Sequence, residues 1–356
     1  MKNTEKKEPA YLKLYKNIRD DIVKGIYPYG SKLPSKRTIS EERGISTVTA
    51  EHAYALLSDE GYIEPRERSG YFVIFRSDVG FANSSDEERR DIRPVYEKTE
   101  DSISFPFSVL AKTMRSVLST YGEGILERSD NQGSEILREA ISKYLARSRG
   151  IKADISQIVI GSGAEHLYSV IVELLGRDKI YAIETPSYNK IEQVYIAENV
   201  PLIKLPLGKE GIKSKALSEC TADILHISPY RSFPSGVTAS ASKRHQYLRW
   251  AEKNGRILIE DDFESEFSPS RKTEETLFSM TKNNNVIYMN TFSKTLSPSL
   301  RTAYMILPEE LSQRFREKPG FYSSTVPTYI QLVIAELINT GNFERHINRV
   351  RRSNRS

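Results

Sequence analysis

Between Gln157 and Leu307, short apolar or β-branched runs alternate with helix-length segments, and no other feature of the chain narrows its possible folds as far. The runs are Gln157–Ile160, Lys179–Ile183, Leu202–Leu205, Ile224–Ile227, Arg256–Glu260, Val286–Asn290 and Thr302–Leu307. Runs of this kind suit strands buried on both faces, and the intervening segments are long enough to be crossover helices. The pattern predicts an α/β domain with a mostly parallel sheet. At 356 residues and 40.6 kDa the chain has room for a second core besides this one.

That second core is read from the first 76 residues. Leu14, Ile18 and Ile22 recur at helical spacing up to Gly25. Ser35 is placed to cap a second helix that Gly44 ends, and Ser46 to cap a third that runs to about Glu60 before Gly61. Tyr62-Ile63-Glu64 and Gly70 to Ile74 then read as two strands of a hairpin around Pro65 to Ser69. Three helices and a hairpin make a winged helix-turn-helix. Residues 77–103 are charged and without apolar periodicity, so a linker is expected there, separating a domain over 1–76 from one over 104–356.

Composition excludes several classes. Cys220 is the one cysteine and cannot form an internal disulfide, and no apolar run follows the N-terminal lysines as in a secretory signal. No apolar stretch approaches the roughly 20 residues of a membrane helix. A cytoplasmic protein with no membrane partner is expected, and no metal site is read. The net charge of +5 is modest, but residues 345–356 carry five arginines and no acid. Half of an amphipathic helix accounts for that run better than a further nucleic-acid contact.

On the third helix Ala50, Ala53 and Leu57 share a face, which leaves Thr47, Thr49 and His52 nearer the other, where they could reach base edges. Lys32, Ser35, Lys36 and Arg37 are candidates for phosphate contacts, and Arg66 and Arg68 for a basic wing tip. Taken singly, each is as well explained as part of a solvated surface. The ordered set Leu33-Pro34-Ser35-x-Arg37, Gly44-x-Ser46, Ala53-Tyr54, Glu60-Gly61-Tyr62-Ile63 and Ser69-Gly70-x-Phe72-Val73 resembles the GntR-type winged helix, which implies binding to double-stranded operator DNA. The family commonly has Arg directly after the serine that opens the recognition helix; here it is Thr47.

In the second domain, Ile158 to Ile160 leads into Gly161-Ser162-Gly163-Ala164, a strand and glycine turn before a helix whose free N–H groups suit a phosphate. Two parallel strands ending near Asp261 and Asn290 would set Asp261 and Lys294 at one carboxyl edge of the sheet, where α/β folds bind ligands. Lysine can condense with an aldehyde cofactor and a carboxylate can keep a pyridine nitrogen protonated, while Arg301 could fork onto a phosphate. A structural Asp–Lys ion pair is the plainer alternative. Gly133-x-x-x-Leu137-Arg138, Ser148-Arg149-Gly150, Glu184-x-Pro186-x-Tyr188, Glu260-Asp261-Asp262, Ser265-Glu266-Phe267 and Thr291-Phe292-Ser293-Lys294-x-Leu296-x-Pro298-x-Leu300-Arg301 resemble fold-type I aminotransferases. With the preceding winged helix, the chain resembles the MocR-type regulators.

The resemblance implies pyridoxal 5′-phosphate as cofactor, Lys294 as its internal-aldimine lysine, Asp261 as partner of the pyridine nitrogen and Tyr188 as the stacking ring. Gly163, Ala164, Thr291 and Arg301 would surround the phosphate. It also implies a homodimer that senses the cofactor or a small amine or amino-acid effector. A catalytic aminotransferase with an accessory DNA-binding module, and a degraded regulator retaining only DNA binding, are the alternatives. Three departures stand out. Phe263 replaces the usual Tyr two residues after the Asp, and Ser228 to Gly236 replaces the usual polar segment before a Pro-x-Gly turn. The chain also ends at Ser356, where the family continues into a small domain bearing the arginine that grips a substrate carboxylate. The apolar helix around Ile330 to Ile338 is accordingly expected to expose surface.

Overall fold

The computed structural model describes residues 9–76, 105–267, 275–281 and 284–353, and the chain divides into two compact units, Met1–Tyr96 and Glu97–Ser356. The expected linker over 77–103 lies outside the described residues.

In the first unit, helices α1 (Ala10–Val23), α2 (Lys36–Arg43) and α3 (Thr47–Asp59) precede strands β1 (Ile63–Arg66) and β2 (Gly70–Val73). Ser35 caps α2 by accepting from the Thr38 N–H at 3.0 Å, and Gly44 closes the helix at φ 62°. Ser46 caps α3 through the Thr49 N–H at 3.1 Å. The short turn between these caps sets α3 against α1, and Leu14, Ile18, Ile39, Ala50, Ala53 and Leu57 form the core with Ile63 and Val73 of the hairpin. The hairpin pairs Ile63 with Val73 and Arg66 with Gly70. Its first strand therefore runs through Pro65 to Arg66, two residues past the predicted end, and the turn narrows to Glu67–Ser69, with Arg68 at φ 60°.

The second unit opens with α4 (Phe107–Tyr121) and α5 (Glu135–Ser148). It continues with β3 (Ile158–Gly161), α6 (Ala164–Leu175), β4 (Tyr181–Thr185), α7 (Asn189–Ala197), β5 (Leu202–Gly208), β6 (Gly211–Ile212), α8 (Ser214–Glu219), β7 (Ile224–Ile227) and α9 (Ala241–Glu252). Then come β8 (Ile257–Asp261), α10 (Leu277–Met280), β9 (Val286–Thr291), α11 (Phe292–Thr295), β10 (Ala303–Ile306), α12 (Glu309–Glu317), α13 (Thr328–Asn339) and α14 (Asn342–Ser353). The strands form one sheet in the order β3-β10-β9-β8-β7-β4-β5-β6. Pairings among β5, β4, β7, β8 and β9 are parallel, whereas β10 is antiparallel to both neighbours. Only eleven residues separate β9 from β10, too few for a crossover helix, so the chain turns back on itself.

Alternate residues along the strands feed opposite faces. Ile183, Ile259, Ile287, Met289 and Met305 pack with α6, α7 and α12. On the other face Ile160, Tyr288 and Tyr304 meet α4, α5, α13 and α14, while Ala182, Leu225 and Leu258 meet α8 to α10. The apolar helix expected to expose surface does not: Leu332, Val333, Ile334, Leu337 and Ile338 of α13 are buried against α4 and α5. Together with α14 these two helices cover its apolar stripe. The arginine-rich segment is the amphipathic α14, which buries Phe343, Ile347 and Val350. Among the described residues no helix is long and apolar enough to cross a membrane.

Candidate functional site

Parallel pairing of β8 with β9 sets Asp261 beside Met289 and ends both strands at one edge of the sheet. The chain leaves β9 at Thr291, whose hydroxyl caps α11 by accepting from the Ser293 N–H at 3.1 Å. That cap turns the backbone so that Lys294 enters a cavity of about 280 Å³. Ala164, Tyr188, Asp261, Thr291, Lys294 and Arg301, six of the seven residues read from the sequence as cofactor contacts, line it. Tyr188, at the start of α7, meets Phe233 edge-on with centroids 6.3 Å apart. Gly163, the seventh, stands directly behind Arg301: a Cβ there would lie 2.8 Å from the guanidinium Nη2.

Asp261 is buried and held by side chains from α6 and β7. Tyr168 of α6 donates to its Oδ2 at 2.6 Å, and His226 Nε2 of β7 stands 3.5 Å from the same oxygen. His226 Nδ1 and the Tyr195 hydroxyl share a hydrogen bond of 2.8 Å. Burial first, and then the neighbouring Asp261 charge, push the Tyr168 hydroxyl well above its ordinary pKa, so it remains a donor. The sequence reading missed both partners. Tyr168 lies one helical turn beyond Ala164, and His226 is the one polar residue in a buried strand; those were the available signals.

Each basic group of the cavity is paired with an acid that sequence reasoning also missed. Lys294 Nζ contacts the Glu264 carboxylate, which also lies 3.5 Å from Arg231 Nε, and stands 5.4 Å from the centre of the Phe263 ring. Arg301, in the left-handed region at φ 42°, donates to Glu165 in the first turn of α6.

Behind this edge lies a buried polar layer. Glu184 accepts from Ser232 and from the Ser228 N–H, yet burial still raises its pKa to about 7. Arg149 forms an ion pair with Asp262 at 2.9 Å, and Tyr288 donates to the same Asp262 oxygen at 2.8 Å. Burial lifts Glu260 to about 8 despite N–H donors from Leu277 and Phe278, and burial likewise shifts Glu266 upward. Arg149, Asp262 and Glu266, all parts of the motifs quoted for the aminotransferase resemblance, thus serve the scaffold beneath the cavity.

The winged helix displays most of its predicted DNA contacts. Lys32, Ser35, Arg37, Thr47, His52, Arg66 and Arg68 are exposed and Lys36 is half-buried. Thr49 is less available: it is half-buried, and its hydroxyl shares a 2.8 Å hydrogen bond with the capping Ser46. Three of the bases have acidic partners, Lys36 with Glu51 at 2.6 Å, Arg37 with Glu41 at 3.0 Å and Arg66 with Glu64 at 2.7 Å. His52 sits edge-on to Tyr11, and Arg66 stacks over Phe72. Val48 and Glu51, both exposed on α3, were not singled out from sequence.

The gntR family of bacterial regulatory proteins matches residues 10–73, and the aminotransferase class I and II family matches residues 99–355. The chain is 33% identical to the uncharacterized HTH-type transcriptional regulator YdeL of Bacillus subtilis over 97% of its own length and 76% of that protein's. It is 26% identical to the probable rhizopine catabolism regulatory protein MocR of Rhizobium meliloti, covering 97% of itself and 74% of the relative. Among solved structures, the α-aminoadipate aminotransferase LysN of Thermus thermophilus, complexed with N-(5′-phosphopyridoxyl)-L-leucine, matches at a TM-score of 0.61 and 25% identity over 70% of this chain and 64% of that one. The aminotransferase fold implies a pyridoxal phosphate cofactor and the gntR domain implies DNA binding. Spanning both families in this order, the chain belongs to the MocR-type transcriptional regulators, in which a gntR-type helix-turn-helix precedes an aminotransferase-like domain.

Proposed function

We propose that this regulator binds operator DNA as a cytoplasmic homodimer and holds pyridoxal phosphate in the Lys294 cavity, with the cofactor or an amino compound as its signal. The observation that carries the reading is the convergence of Ala164, Tyr188, Asp261, Thr291, Lys294 and Arg301, from separate elements, on one cavity. Their chemistry fits the group. Gly163 leaves room at the start of α6, a twelve-residue helix whose first N–H groups favour an anion. Arg301 and the Thr291 hydroxyl add donors on that side, and Tyr188 offers an aromatic face. Asp261, which accepts from Tyr168, would hold a protonated ring nitrogen. When bound, pyridoxal phosphate supplies an aldehyde that condenses with primary amines. Lys294 provides such an amine, and an effector amine would compete for the same aldehyde.

Signal and DNA then share one linkage: a ligand favouring one arrangement of the paired winged helices changes operator affinity by its difference in affinity for the two states. The test uses a duplex selected by the purified protein from a random pool. Its affinity is measured with and without pyridoxal phosphate and candidate amines, for the wild type and Lys294→Ala. A ligand-dependent shift that Lys294→Ala abolishes supports the proposal; operator affinity indifferent to ligand and to the substitution refutes it.

A further inference from the structure

We propose that Glu165 is a built-in competitor for the phosphate end of the cofactor: its carboxylate occupies Arg301 until a phosphate displaces it, so that the cavity loads and unloads reversibly. The inference rests on the reading that this cavity takes pyridoxal phosphate.

Glu165 lines the same cavity as Lys294 and lies in the first turn of α6, beside the N–H groups that would face the anion. The Arg301 guanidinium lies against Gly163 at the start of that helix and donates to the Glu165 carboxylate. Side-chain exposure is 54% for Arg301 and 32% for Glu165. A pair this wet contributes little stability and can part easily. A phosphate offers Arg301 a stronger, bidentate acceptor. A dianion arriving within a few ångströms of a carboxylate is nevertheless repelled, so Glu165 must swing out before it settles. Affinity is thereby lowered by a group that touches only the phosphate end. For a sensor this keeps occupancy responsive to cofactor concentration, where a permanently filled site would report nothing.

The full chain and Glu165→Gln are titrated with pyridoxal phosphate and with pyridoxal, which lacks the phosphate. Binding is followed by absorbance, and circular dichroism checks the fold. Glu165→Gln is expected to bind pyridoxal phosphate about tenfold more tightly or better, with pyridoxal affinity unchanged. The gain should shrink at high salt, because the pair is half exposed. Equal affinities would overturn the inference while leaving the cofactor reading intact. Weaker binding by the variant would overturn it too, making Glu165 the residue that positions Arg301. Failure of both proteins to bind would overturn the cofactor reading itself, and this inference with it.

Discussion

Replacing Arg149 with Met tests how far the second unit depends on the ion pair beneath its cavity. Arg149 and Asp262 meet at 2.9 Å with side chains only 3% and 0% exposed. Water cannot take the place of a lost partner there, and Met fills much of the vacated volume without supplying charge. An aspartate stranded in such a position escapes by taking up a proton. For a carboxyl of ordinary pKa, about 3.9, that costs roughly 4 kcal/mol at pH 7 and about 1.5 kcal/mol at pH 5. The first figure falls within the ~3–5 kcal/mol lost when one member of a buried pair is removed. Urea unfolding followed by fluorescence reads this unit alone, because the chain's one tryptophan, Trp250, lies in α9. We expect Arg149→Met to lose about 4 kcal/mol at pH 7 and less than half of that at pH 5, with most of the loss reversed by adding Asp262→Asn. A loss below about 1 kcal/mol at pH 7, or equal losses at both pH values, would mean that Asp262 is not stranded when Arg149 is removed.

Gly163→Ala forces a side chain into backbone at φ 103°, ψ 169° and against Arg301; it should cost about 1–3 kcal/mol in urea unfolding and weaken pyridoxal phosphate binding, and wild-type values in both assays would count against the cradle. Glu184→Gln should remove a pH dependence. With its pKa raised from 4.5 to about 7, the folded protein keeps a proton that the unfolded chain has released, so this contribution to stability is full below pH 4.5 and gone above about pH 7. The variant should therefore gain on the wild type by up to about 3 kcal/mol between pH 4 and pH 8, and parallel stability curves would contradict the assignment. Arg37→Ala should weaken binding to every duplex alike and reduce the salt slope by about 1; a change confined to particular base positions would mean that Arg37 reads sequence.

Local geometry was the part of the structure most legible in the sequence. Ser35, Gly44 and Ser46 bounded α2 and α3 because a capping hydroxyl and a left-handed glycine act within a turn of where they stand. All seven predicted strand runs are strands; six of them are buried on both faces, which leaves a continuous apolar signature, while β5 keeps Lys204 and Pro206 exposed. Strand direction is written in no single run, and β10 needed the short β9–β10 connection to show that it is antiparallel. Motif order led to the cavity residues, but not to what faces them. Glu165 and Arg301 are 136 positions apart, and Tyr168 and Asp261 are 93 apart; such pairs exist only once the sheet has assembled. The exposure expected for α13 failed for the same reason, because two of the helices that cover it, α4 and α5, lie roughly 200 residues earlier in the chain.

Titrating the full chain with pyridoxal phosphate, reducing with borohydride and mapping the modified peptide asks whether Lys294 holds the cofactor. We expect a saturable absorption band and a single phosphopyridoxyl group fixed on Lys294, both absent from a folded Lys294→Ala variant. No band, or label scattered over surface lysines while Lys294 stays unmodified, would mean that Lys294 does not hold it.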